Sequence, residues 1–156
     1  MSYHKENLKD HLIEIAWDIC KKGSWQKVNM RKIAHKANVS NTAFYRHFKN
    51  KNDLKAELIR KGYKMIFEGK KSADTFAGWG AYYIRFGLNY PHIYDLMFGS
   101  IDSDMSIYPD LEAQHNAAFD GILVALEDFM PDATKKDLRI KAINIWTSVH
   151  GLIGLL

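Results

Sequence analysis

The stretch VSNTAFYRHFKNKNDL, Val39 to Leu54, decides how the chain is read. Phe44 and Phe48 stand four apart, so on a helix they share one face and can be buried together. Tyr45, Arg46 and His47 then turn away from that face, beside Lys49 and Lys51. A short helix that holds a phenol, a guanidinium and an imidazole towards water is arranged to touch something polar.

Working outward, the preceding residues supply a partner for that helix. Asn29 can cap a short helix whose buried face is Met30, Ile33, Ala34 and Ala37. Asn38 suits the left-handed position that ends a helix, and Ser40 can cap the next, which runs from Asn41 to about Phe48. Before them, Leu8, Leu12, Ile15, Ala16 and Ile19 form one stripe of a helix from about Lys5 to Lys22, stopped by Gly23. After them a long helix starts near Asn50 or Lys51, has Asp53 in its first turn, and continues to about Gly69. Further helices are expected at about Ala73 to Asn89, Pro91 to Phe98, Pro109 to Met130, and Ala133 to the end, with Gly99 to Tyr108 as a mobile loop. The fold class is all-α, since apolar residues recur at three and four and no strand alternation dominates.

Two short helices joined by three or four residues form the unit that places its second helix in the ~12 Å major groove. Asn41 and Thr42 lie in the first turn of that helix, where base edges are met. Tyr45 and Arg46 follow one turn later, and His47, Lys49 and Lys51 fall at the next helix junction, where backbone phosphate is held. Arg31, at the start of the preceding helix, is placed to clamp the other side of the groove.

Charge supports a polyanionic partner. Residues 1–64 carry 15 Lys+Arg against 6 Asp+Glu, a balance of +9, whereas the remaining 7 face 12, a balance of −5. The first part attracts nucleic acid and the second repels it. The competing reading is a helical ligand-binding or adaptor protein whose helix-turn-helix is only a packing unit. Such a protein has no need of this division of charge.

Residues Val28 to Leu54 resemble the DNA-binding signature of the TetR family of transcriptional repressors. The matching elements are Ile33-Ala34, the turn Asn38-Val39-Ser40, Phe44-Tyr45-Arg46-His47-Phe48, and Lys51. Asn38 replaces the usual turn glycine, and Ala43 stands where a hydroxyl residue is common. The resemblance implies a homodimer on a palindromic operator in double-stranded DNA. It places Arg31, Tyr45, His47 and Lys51 at the DNA backbone and Asn41, Thr42 and Arg46 against bases; the capping Ser40 and Lys49 are counted with this interface. Residues 1–50 form the DNA-binding domain in this reading, 51–70 a connecting helix, and 71–156 a helical ligand-binding and dimerisation domain.

The acidic half is aromatic. Phe76, Trp79, Tyr83, Phe86 and Tyr90 follow helical steps, with Tyr82 beside them. Such a stripe is most often plain helical core; the alternative is a pocket, because Tyr and Trp offer apolar walls with one polar handle each, which suits a small apolar or aromatic molecule. The segments AYYIRFGLNYPHIYDLMF and IWTSVHGLIGLL resemble a C-terminal domain type of the same family, characterised by Trp-His-Gly, here Trp146, His150 and Gly151. That resemblance implies an inducer-binding domain whose final helices form a four-helix bundle between two copies. Trp79, Tyr83, Tyr94, Trp146 and His150 are the expected ligand contacts. Apolar residues continue to Leu156 without a cap, a pattern that leaves room for one further helix.

Other chemistries find no support. The seven histidines have no pairing at three or four, so no metal is assigned, and neither a phosphate loop, a nucleophile elbow nor HExxH is present. No cofactor and no catalytic residue follow. No apolar run approaches the ~18 residues of a membrane span, and the lone Cys20 reads as a small core residue of a cytoplasmic protein.

Overall fold

The computed structural model describes residues 5–99 and 108–156, which form eight α helices and a short 3-10 turn at Trp25–Lys27. The helices are α1 (Lys5–Lys22), α2 (Met30–Lys36), α3 (Asn41–Tyr45), α4 (Lys51–Lys71), α5 (Phe76–Asn89), α6 (Pro91–Phe98), α7 (Pro109–Phe129) and α8 (Lys135–Leu155). Among the described residues there is no strand, as the sequence pattern requires. The loop expected at Gly99 to Tyr108 lies, apart from its two end residues, outside the described residues.

The helix ends follow local chemistry. Asn29 caps α2 by accepting from the Lys32 N–H at 3.1 Å, and Ser40 caps α3 by accepting from that of Ala43 at 3.1 Å. Thr75 starts α5 at Phe76 instead of Ala73, its hydroxyl accepting from the Gly78 N–H at 3.0 Å. Helix α3 stops at Tyr45, earlier than the expected Phe48, although the Phe48 N–H still reaches the Phe44 carbonyl at 3.2 Å. Arg46 caps the helix with αR backbone, its N–H reaching the Thr42 carbonyl at 3.2 Å, and the chain then turns through His47 towards α4.

The chain divides into two compact units. Unit 1 holds the chain up to Gly62 together with α6; unit 2 holds Tyr63–Asn89 together with α7 and α8. Helix α4 runs without a break through the division. In unit 1, α1 packs on α2 and α6, burying Leu12, Ala16, Ile33, Phe44, Phe48, Leu54, Leu58 and Ile93. An ion pair between Lys9 and Glu57 at 2.6 Å ties α1 to α4 on the outside of this core. In unit 2, Trp79, Ile122, Leu126, Leu138 and Ala142 form the buried cluster between α5, α7 and α8. Helices α5 and α8 approach so closely that a Cβ at Gly87 would lie 2.7 Å from Ile153 Cγ2, a position only glycine can hold without displacement.

Candidate nucleic-acid interface and ligand cavity

The turn before α3 is fixed by backbone alone. Asn38 has φ 55°, in the left-handed region, and the N–H groups of Asn38 and Val39 close onto the carbonyls of His35 and Ala34, each at 3.0 Å. This pair of hydrogen bonds closes the helix around an αL residue, with asparagine in the place that glycine often takes. It delivers the chain to Ser40 already turned for α3.

Helix α3 then has one buried side. Phe44 and Phe48 are fully enclosed with ring centroids 5.3 Å apart. The residues between them go outward: Asn41, Thr42 and Arg46 are exposed, Tyr45 is 43% exposed, and His47 is half-buried in the turn. Arg31, in the first turn of α2, is exposed as well. The structure thus brings together on unit 1 the side chains expected to face DNA.

The start of α4 differs from a bare helix N-terminus. Asn50 Oδ1 accepts from the N–H groups of Asn52 at 2.8 Å and Asp53 at 3.0 Å, and Asp53 Oδ2 accepts from the Lys49 N–H at 2.9 Å. Those donors are occupied, so a phosphate here meets side chains first. Lys49 is exposed, but Lys51 is anchored: its Nζ donates to the Trp25 carbonyl at 3.1 Å and lies 4.7 Å above the Trp25 ring. Burial lowers the Lys51 pKa, with the nearby Cys20 sulfur opposing that shift; burial also pushes the Cys20 thiol up to about 11. An ammonium has three donors, so the bond to Trp25 aims the group and leaves capacity for phosphate. Trp25 is the residue that sequence reading missed. It lies 26 positions from Lys51, with no periodicity to connect them.

In unit 2, Trp79, Tyr83, Trp146 and His150 converge as expected. With Phe76, Gly80, Ile122, Ile145 and Val149 they line a cavity of about 40 Å³, room for a few water molecules. The Tyr83 hydroxyl and His150 Nε2 are 3.1 Å apart, and the Trp146 and His150 rings are 4.5 Å apart. Burial, helped by neighbouring His115, depresses the His150 pKa to about 4, so the imidazole is neutral at neutral pH. His115 meets the edge of Trp146 at 5.7 Å and pairs through Nδ1 with the Tyr63 hydroxyl of α4 at 3.1 Å. Burial raises the Tyr63 phenol pKa well above its usual value. Tyr94 stands apart: it belongs to α6 in unit 1, packs against Phe98 at 4.9 Å, and does not line this cavity.

An exposed polar helix, presented by a rigid turn above a buried aromatic pair, defines a helix-turn-helix DNA-binding protein. The comparisons make the class particular. Residues 12–58 match the family described as bacterial regulatory proteins, tetR family, and residues 76–156 match the tetracyclin repressor-like C-terminal domain; the chain belongs to the TetR family. It is a DNA-binding transcriptional regulator and not an enzyme. The fold is similar to that of SCO4313, a solved protein assigned a regulatory role, with TM-score 0.75, 20% identity, and coverage of 97% of this chain and 84% of that one. It is also similar to a transcriptional regulator (TerR/AcrR family) from Aquifex aeolicus VF5, with TM-score 0.67, 20% identity, and coverage of 94% and 84%. No curated protein matches the sequence. Among the described residues no helix is long and apolar enough to cross a membrane.

Proposed function

We propose that this regulator is a cytoplasmic repressor that binds a palindromic operator as a homodimer and is released by a small molecule held in unit 2. The observation that carries the DNA part is the burial of Phe44 and Phe48 beneath exposed Asn41, Thr42, Tyr45 and Arg46. In this reading Asn41, Thr42 and Arg46 read bases, while Arg31, Ser40, Tyr45, His47, Lys49 and Lys51 hold the phosphate backbone. Half-sites then lie about one helical turn, ~34–36 Å, apart.

The dimer reading is supported by an uncovered apolar stripe on α8. Ile140 and Ile143 are exposed one turn apart, and Gly151 and Gly154, where an added Cβ would meet nothing within 4 Å, continue the same face. Exposed Val124 adds an apolar position on α7. Apolar surface that ends in small residues suits close packing against the same helices of a second copy.

Release by a ligand is supported by the cavity and by its continuity with α4. The packed series His150, Trp146, His115 and Tyr63 runs from the cavity wall to the helix that begins at Lys51. A ligand lowers operator affinity only by its preference for the non-binding state, so a hundredfold release requires about 2.7 kcal/mol of differential affinity. Electrophoretic shift with the DNA upstream of the protein's own gene tests the DNA-binding part of this reading. A salt-sensitive, sequence-specific shift is expected; an equal shift on scrambled DNA would leave the helix-turn-helix as a packing unit.

A further inference from the structure

Trp25 holds Lys51 at two points. Its carbonyl accepts from Lys51 Nζ at 3.1 Å, and its ring lies beneath the same ammonium, 4.7 Å from nitrogen to centroid. The grip is set by the 3-10 turn at Trp25–Lys27, not by α4 itself. The Val28 N–H closes that turn onto the Trp25 carbonyl at 3.0 Å, and Val28 is buried. A carbonyl oxygen has two lone pairs, so it takes both donors while the buried side of the turn fixes its direction. Asn29, next in the chain, caps α2, whose first turn carries Arg31. One turn therefore sets both the start of α2 and the place of the ammonium at the start of α4. Lys51 is only partly buried, and its ammonium keeps access to solvent.

We propose that Trp25 is a positioning residue of the DNA interface, holding the Lys51 ammonium, before DNA arrives, where a backbone phosphate is met. This role rests on the reading of Lys51 as a phosphate contact. A free lysine stem samples many rotamers, and ordering it on a phosphate subtracts from affinity. Lys49, exposed two positions earlier, is ordered only when DNA binds. Lys51 is ordered on folding, because its cation already sits over an indole face with one of its three N–H donors in place. Two donors remain for phosphate oxygens.

Fluorescence anisotropy of a mixed-sequence DNA duplex titrated with the full chain, at several salt concentrations, separates position from charge. Lys51→Ala removes a charge and should reduce the log–log salt slope by about one. Trp25→Leu keeps every charge, so the slope should match the parent's while affinity falls about two- to fivefold at every salt concentration. Trp25→Phe retains a ring and should recover most of that loss. With Lys51→Ala already in place, Trp25→Leu should change affinity no further. An equal loss in that background would make Trp25 a packing residue and overturn the positioning role. If Lys51→Ala weakened binding and Trp25→Leu did not, positioning would be overturned while Lys51 stayed on the phosphate. If Lys51→Ala left affinity and slope unchanged, the phosphate reading and the role of Trp25 would fall together. In the unmodified protein, the Lys51 ε-methylene proton resonances should be shifted upfield by the Trp25 ring and remain so with DNA bound. Loss of that shift on adding DNA would mean that the ammonium leaves the ring to reach phosphate, which overturns the role whether or not the variants fold.

Discussion

Unit 1 sinks Phe44 and Phe48 so that Tyr45 and Arg46 can stand in water, whereas unit 2 gathers Trp79, Tyr83 and Trp146 along a half-open cavity with no ionised group on its wall. Both arrangements use aromatic side chains at helical spacing. The difference lies in what the partner requires. A phosphate backbone is met by cations that remain solvated until it arrives, and affinity comes from releasing its counterions. On the proposed reading, a small apolar molecule is met by a cavity lined with aromatic rings. Unit 1 therefore displays polar side chains, and unit 2 turns its aromatic ones inward.

The largest effect is expected of Phe44→Ala. Removing a fully buried ring should destabilise the protein by about 3–5 kcal/mol, through lost burial and the cavity left behind. The display above it depends on that ring, so operator binding in a gel-shift titration should disappear together with the unfolding midpoint in urea. A midpoint close to that of the parent protein would mean that α3 is held by its caps and not by its buried face.

How far these regions can be read from sequence follows from the distance between the interacting groups. Asn29, Asn38, Ser40 and the Phe44–Phe48 pair each act within about one helical turn, so spacing alone exposes them. The pairs that build the cavity and anchor α4 are far apart in the chain: Lys51 to Trp25 is 26 positions, Tyr63 to His115 is 52, and Tyr83 to His150 is 67. No local pattern encodes them. Tyr94 shows the same limit, since it sits on a helix as amphipathic as α5 but one that turns its buried side to unit 1. Trp146 and His150 were placed by resemblance of the Trp-His-Gly ending, not by any spacing between them and α5.

Within unit 1 the comparison sharpens into two kinds of contact. Arg46→Ala should relax preference at particular base pairs by roughly 1–3 kcal/mol, because a guanidinium reads guanine through paired bonds. Lys49→Ala or Lys51→Ala should instead weaken all sequences alike and reduce the magnitude of the log–log salt slope by about one. Binding across a panel of operator variants at several salt concentrations distinguishes them. Uniform weakening by Arg46→Ala would move that residue from the bases to the backbone.

Unit 2 should answer to pH through His150. The folded pKa of His150 is depressed to about 4 from an ordinary value of 6.5, so between those values the unfolded chain binds the extra proton. Stability consequently rises with pH through this window and is lost as pH falls from 6.5 towards 4. The partial exposure of His150 screens the effect, leaving about 1–2 kcal/mol. Denaturation of the parent protein and of His150→Gln at pH 7 and pH 5 gives the difference: the parent should lose more than the variant. Equal losses would show that other groups set the acid limit.

The smallest expected effect concerns Asn38, and it tests whether unit 1 depends on backbone shape as unit 2 depends on enclosure. At φ 55° an ordinary side chain is strained by roughly 1–2 kcal/mol, asparagine less, and glycine not at all. Asn38→Ala should therefore destabilise by about 1 kcal/mol. Asn38→Gly should lie within a few tenths of a kcal/mol of the parent, because glycine removes strain but adds freedom to the unfolded chain. The two variants leave Asn41, Thr42, Tyr45 and Arg46 in place, so a change in operator affinity beyond the stability change reports the angle at which α3 is delivered. If Asn38→Ala proved as stable as Asn38→Gly, the left-handed turn would not be setting that angle, and the Ser40 cap with the Phe44–Phe48 pair would carry the presentation alone.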